Sequence, residues 1–148
     1  MEARPPRLNL TSEWLSGRLD LRALPPILIV DDDEALCELM AESLRHAGYN
    51  VRTAENGMDA LFAMEAQQPS VMILDLRMPL LDGWELSEEL RTWDVDVPVI
   101  VVSGASTDVA ATAQQMGAVD FLKKPFDLNE LVDKVDRLIL THRPRKSA

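Results

Sequence analysis

Five short apolar stretches recur along this chain at intervals of roughly 20 to 30 residues, with helical patterns between them. They are Ile27–Val30, Tyr49–Thr53, Val71–Leu74, Val99–Val102 and Val119–Leu122. A strand such as Ile27–Val30, with no polar position, must be covered on both faces, as in a parallel sheet wrapped in helices. Regular alternation of strand and helix restricts the chain to a doubly wound α/β domain with helices on both faces. Tyr49–Thr53 is weaker and more polar, and is expected nearer a sheet edge.

The helical segments follow from spacing and caps. From Glu34 to His46, with Leu36, Leu39, Met40, Ser43, Leu44 and Ala47 on one face, the pattern runs to Gly48, which stops it. Gly57–Ala66 carries Leu61, Phe62 and Met64. Asp82 with Glu85 has capping-box spacing ahead of Trp84, Leu86 and Leu90. Asp127 with Glu130 repeats it ahead of Leu131, Val132, Val135, Leu138 and Ile139. Thr107–Met116 is a less hydrophobic helix ended by Gly117.

At 148 residues the chain is one domain, long enough to bury a full core. Residues 1–26 stand outside the strand–helix rhythm, 27–141 form the domain, and 142–148 are a basic tail with Arg143, Arg145 and Lys146. In the first segment Thr11 or Ser12 caps a short helix bearing Trp14, Leu15 and Leu19, weakened by Gly17. It is expected either to pack on the domain or to serve as a partner or homodimer contact, since Trp14 beside leucines is sticky when exposed. The net charge is −10, and between the two ends 22 acidic residues face 8 basic ones. That balance argues against direct nucleic-acid binding, which needs a basic face. No apolar run is long enough to span a membrane, and no secretory signal is visible. The lone Cys37 forms no internal disulfide, so a reducing cytoplasmic setting is the default.

Chemistry-bearing residues sit directly after four of the strands: Asp31-Asp32-Asp33, Asp75, Ser103 and Lys124-Pro125. In a parallel sheet the strand ends emerge on one edge, so these patches converge. Two carboxylates about 4 Å apart repel by roughly 4 kcal/mol at an effective dielectric near 20. Such a cluster keeps a proton or recruits a cation. Oxygen ligands without His or Cys favour Mg²⁺, or Mn²⁺, over zinc. Taken singly, each patch has a plainer reading: helix capping for the aspartate run, and turn residues for Asp75 and Ser103. Asp75 is also placed to act as a nucleophilic carboxylate forming an acyl phosphate. The bond before Pro125 is a candidate for the cis form, which would aim the Lys124 ammonium at phosphoryl charge. Lys123 should point to the opposite face, toward solvent.

The segments Ile27-Leu28-Ile29-Val30-Asp31-Asp32-Asp33, Leu74-Asp75-Leu76-Arg77-Met78-Pro79-Leu80-Leu81-Asp82-Gly83, Val102-Ser103-Gly104-Ala105 and Asp120-Phe121-Leu122-Lys123-Lys124-Pro125-Phe126 resemble the receiver domain of two-component response regulators. The resemblance covers about 27 to 141 and implies the flavodoxin-like five-stranded sheet, order 2-1-3-4-5. It implies that Asp75 accepts a phosphoryl group from a histidine kinase or phosphotransfer protein. Mg²⁺ would be held by Asp32 and Asp75, by Asp31 mainly through water, and by the Arg77 backbone carbonyl. Ser103 and Phe121 would form the switch, Phe standing where Tyr is frequent, and Lys124 would pair with the phosphoryl group. Arg77 and Ala105 occupy the positions that tune dephosphorylation; neither orients a water well, so self-dephosphorylation is expected to be slow. Output is expected from a surface over residues 107–137 that docks a downstream protein.

The short segment after Pro144 leads us to expect a stand-alone, non-enzymatic receiver, either a terminal output or a relay intermediate. Two other readings compete. In a haloacid-dehalogenase-type phosphatase Asp31 would be the nucleophile and Asp33 the general acid, but Asp75 and its follow-on would go unexplained. A receiver-like module that docks partners without phosphorylation would not need the full residue set.

Overall fold

The computed structural model describes residues 20–76, 85–86, 88–89, 96–104 and 108–141. Five strands form one sheet: β1 (Ile27–Val30), β2 (Val51–Ala54), β3 (Met72–Asp75), β4 (Val99–Ser103) and β5 (Asp120–Lys123). All neighbours pair in parallel, in the order β2-β1-β3-β4-β5. Four helices are α1 (Glu34–His46), α2 (Gly57–Ala66), α3 (Val109–Met116) and α4 (Leu128–Thr141). Glu85, Leu86, Glu88 and Glu89 are also helical. This is the flavodoxin-like order expected, with β2 at an edge.

Strand periodicity divides the core into two layers. Ile27, Ile29, Ile73, Ile100 and Val102 face α1 and α4, meeting Met40, Leu44, Leu131 and Val135. Leu28, Val30, Met72, Leu74 and Val101 face the other way, onto Ala60 and Met64 of α2, Leu86, and Val109 and Ala113 of α3. Both faces are therefore sealed, which is why the strands read as uninterrupted apolar runs. Each such side chain taken fully from water contributes about 1.5–3 kcal/mol. Leu21, in a 3₁₀ turn at Leu21–Ala23, joins the first layer. The Ser70 hydroxyl donates to the Pro25 carbonyl at 2.8 Å, fastening the lead-in to β1 onto the sheet.

Several element ends differ from the sequence expectation, each for a hydrogen-bonding reason. The Tyr49 amide closes α1 by donating to the Leu44 carbonyl, so β2 begins two residues later. Gly48 permits that turn with φ at 108°. Asp108 caps α3 by accepting from the Ala111 amide, so the helix starts at Val109. The Asp127 side chain accepts from Asn129, while the Glu130 amide uses the Asp127 carbonyl, so no capping-box bond from the Asp127 carboxylate to Glu130 forms. Asn56, which the sequence reading passed over, caps α2 through the Asp59 amide. Phe62 turns outward and is 66% exposed. The Asp82 cap, Trp84, Leu90, Thr107 and the Trp14 segment lie outside the described residues. No described helix is long and apolar enough to cross a membrane.

Candidate functional site

Strand order reverses between β1 and β3, and an open α/β sheet presents its binding crevice at the carboxyl ends of such strands. Asp31 follows β1 there and is 1% exposed, its amide donating to the Ala54 carbonyl of β2. Its Oδ1 accepts from the Asp33 amide at 2.9 Å. Asp75 ends β3 and Ser103 ends β4, both buried. Lys124 follows β5, and its amide donates to the Ser103 carbonyl at 2.9 Å, locking the two strand ends together. The Lys124–Pro125 bond is cis. Lys123, one residue back, is exposed, as strand alternation demands.

The four patches do meet. Lys124 Nζ lies 3.1 Å from Asp31 Oδ2 and 3.3 Å from Asp75 Oδ2. It donates a hydrogen bond to Asp75, but its approach to Asp31 Oδ2 leaves that buried oxygen ion-paired without a hydrogen bond. Asp32, exposed, completes the cluster: one carboxylate oxygen from each of Asp31, Asp32 and Asp75 lies within 4.8 Å of the others. Three carboxylates against one ammonium leave negative charge uncompensated. A hard divalent cation fits this donor set, and Asp31 Oδ2, buried and faced by the Lys124 ammonium without an aligned hydrogen bond, is an oxygen it would satisfy. Burial alone would lower the Lys124 pKa, but Asp31 and then Asp75 outweigh it, and the ammonium titrates above its ordinary value.

Asp33 serves another purpose. Its carboxylate accepts from the Leu36 amide at 3.1 Å and caps α1. That occupies the group a phosphatase would need as general acid. Phe121 projects outward from β5, 37% exposed, with the Lys134 ammonium 5.9 Å from its ring centroid. Lys134 also pairs with Asp120 at 2.8 Å. Arg77 and Ala105 lie outside the described residues.

Two features were missed in the sequence. The Tyr49 hydroxyl donates to Asp136, which is fully buried in α4; an acid at helical spacing among Val132, Val135 and Ile139 was the available signal. Lys134 above Phe121 left no trace, because β5 and α4 meet only in the fold.

Cys37 is buried, and burial first, then the Asp31 charge, pushes its thiol from 9.0 up to about 11. The fold thus favours the neutral thiol, whose contribution is complete below 9.0 and lost as pH rises through about 11. Native protein is expected to resist alkylation at neutral pH until denatured. Denaturant midpoints should fall across that alkaline window, less steeply in Cys37→Ala; a native thiol reacting as fast as a free one would contradict this.

An open parallel α/β sheet with an acidic pocket and a half-buried lysine at its switch point presents the donor set of a divalent-cation site. The chain belongs to the response regulator receiver domain family, whose model matches residues 27–136. It is 37% identical over 123 residues to response regulator MprA of Mycobacterium bovis, covering 82% of this chain and 54% of that protein. With transcriptional regulatory protein PrrA of Mycobacterium tuberculosis it shares 40% over 116 residues, 78% of this chain and 50% of the relative. The chain thus spans about half the length of these relatives, which lend no support to a stand-alone receiver or to the absence of nucleic-acid binding. Among solved structures it resembles response regulator TrrA from Thermotoga maritima in complex with Mg(2+)-BeF, at TM-score 0.69 and 33% identity, covering 78% of this chain and 99% of that one.

Proposed function

We propose that Asp75 accepts a phosphoryl group from the phosphohistidine of a kinase or phosphotransfer protein and that the resulting aspartyl phosphate switches a protein-docking surface. The observation that carries this reading is Asp75 at the end of β3, buried beside Asp31, Asp32 and Lys124. An Asp75 carboxylate oxygen attacks phosphorus, the phosphorus–nitrogen bond breaks, and imidazole departs with its electron pair. Asp32 and Asp75, with Asp31 mainly through water and, as the family resemblance implies, the Arg77 carbonyl, would hold Mg²⁺, which would supply charge neutralisation for the phosphoryl oxygens. The TrrA complex with Mg(2+)-BeF supports the choice of metal.

Lys124 then exchanges a carboxylate partner for a phosphoryl oxygen, and the Ser103 hydroxyl donates to another. Ser103 adjoins β5, so its movement makes room for Phe121 to leave the Lys134 ammonium and turn inward. Residues 107–137 change shape with it and present the surface a downstream protein reads. Reversing a 1:99 equilibrium takes about 5.5 kcal/mol of preferential stabilisation, within reach of a few charge-assisted contacts. The domain is a phosphoacceptor of the reducing cytoplasm, with Arg77 and Ala105 giving a long-lived adduct.

The test is intact mass after incubation with acetyl phosphate and Mg²⁺. One added phosphoryl group is expected, absent when the metal is chelated first and persisting for minutes once the donor is removed. No adduct, under conditions that modify a control receiver, would favour the docking module that works without phosphorylation. An adduct lost within seconds would overturn the role given to Arg77 and Ala105.

A further inference from the structure

Three of the seven Lys and Arg residues among the described positions, Arg22, Arg45 and Arg52, line one cavity of about 530 Å³. It lies at the opposite edge of the sheet from Asp75, where the chain enters β1 and β2. No acidic side chain lines it among the described residues, in a protein whose net charge is −10. This concentration of positive charge runs against the composition and plays no part in the phosphoryl chemistry.

The arginines come from three separate elements: the 3₁₀ turn, the last turn of α1 and the edge strand β2. Hydrogen bonds hold those elements in place. Asn50 Nδ2 donates to the Arg22 carbonyl at 2.7 Å, fixing the turn over the start of β2. Arg45 Nη2 donates to the Val51 carbonyl at 3.3 Å, leaving most of its five donors unused. The Asp20 carboxylate accepts from the Arg22 backbone amide. Among the described residues none of the three guanidiniums is in an ion pair. Gln67 adds an amide to the wall.

We propose that this cavity binds a small multivalent anion, a phosphorylated or polycarboxylate molecule, at a site separate from the aspartate pocket. A guanidinium meets phosphate and carboxylate alike in a planar two-pronged contact, and three arginines lining one cavity favour a ligand with more than one anionic group. The volume lies within the roughly 300–1,000 Å³ of small-molecule sites. Because the side chains are exposed, affinity is modest and weakens with salt.

The experiment uses the full chain without Mg²⁺, following the arginine Nε–Hε resonances by NMR while sodium pyrophosphate or citrate is added at constant ionic strength. Saturable shifts of Arg22, Arg45 and Arg52 are expected with at least one probe, and none with chloride alone. The preferred probe identifies phosphate or carboxylate as the ligand chemistry. Arg45→Gln and Arg52→Gln, both at exposed positions, should each weaken binding roughly tenfold, the scale of one charge-assisted contact. Failure of both probes to saturate, or undiminished binding in the double variant with its melting temperature unchanged, would overturn the proposal.

Discussion

Asp75→Ala is expected to take up no phosphoryl group from acetyl phosphate under conditions that fully modify the wild type, as read by intact mass. The substitution removes the oxygen proposed as nucleophile, and no other carboxylate of the cluster is equally placed. Asp31 is held through Oδ1 by the Asp33 amide, and Asp32 is exposed to solvent. The neighbouring substitution should give a graded result. Asp32→Ala keeps the acceptor and loses a metal contact, so its rate should fall by roughly a hundredfold at limiting Mg²⁺, since even partners outside the ligand sphere cost about 10–100-fold. An adduct on Asp75→Ala, or steady phosphate release that survives it, would transfer the chemistry to Asp31 and revive the phosphatase reading.

Lys124→Met should cost the metal-free protein about 2 kcal/mol at neutral pH, seen as a lower urea midpoint at unchanged slope. The methionine keeps the apolar stem but strips Asp31 and Asp75, only 1% and 5% exposed, of the ammonium that faces both. A fully enclosed pair broken this way loses roughly 3–5 kcal/mol; the smaller figure reflects the 22% of the lysine side chain that water still reaches. Mg²⁺ at a hundred times its dissociation constant would restore about 2.7 kcal/mol. The pH dependence provides a second readout. The Lys124 pKa is raised in the fold, so its contribution is complete below 10.5 and is lost as pH climbs through the folded value. Lys124→Met should lack that part of the alkaline decline. A variant as stable as the wild type without metal would mean that the ion pair contributes nothing net.

The sheet was legible because burial on two faces leaves a strong one-dimensional mark. Ile27–Val30 and Val99–Val102 have no polar position for the simple reason that α1 and α4 lie on one side and α2 and α3 on the other. Parallel strands deliver their ends to one edge, so Asp31, Asp75, Ser103 and Lys124 could be grouped into one pocket from their place after each run. Strand ends were less legible: the Tyr49 amide is spent closing α1 on the Leu44 carbonyl through the turn that Gly48 permits, which the apolar pattern does not record.

Other features exist only between elements distant in sequence. Tyr49 meets Asp136 across 87 positions, Lys134 lies over Phe121, and three arginines share a cavity although each alone reads as a solvated surface charge. The sequence by itself determined the layers and the edge on which the acidic residues and Lys124 gather, because these follow from strand periodicity and from parallel connection. The tertiary structure alone decided which carboxylates Lys124 faces, that Asp33 caps α1 while Asp32 joins the cluster, and where the second charged cavity lies. Those outcomes depend on angles and distances of a few ångströms, which residue spacing along a chain does not encode.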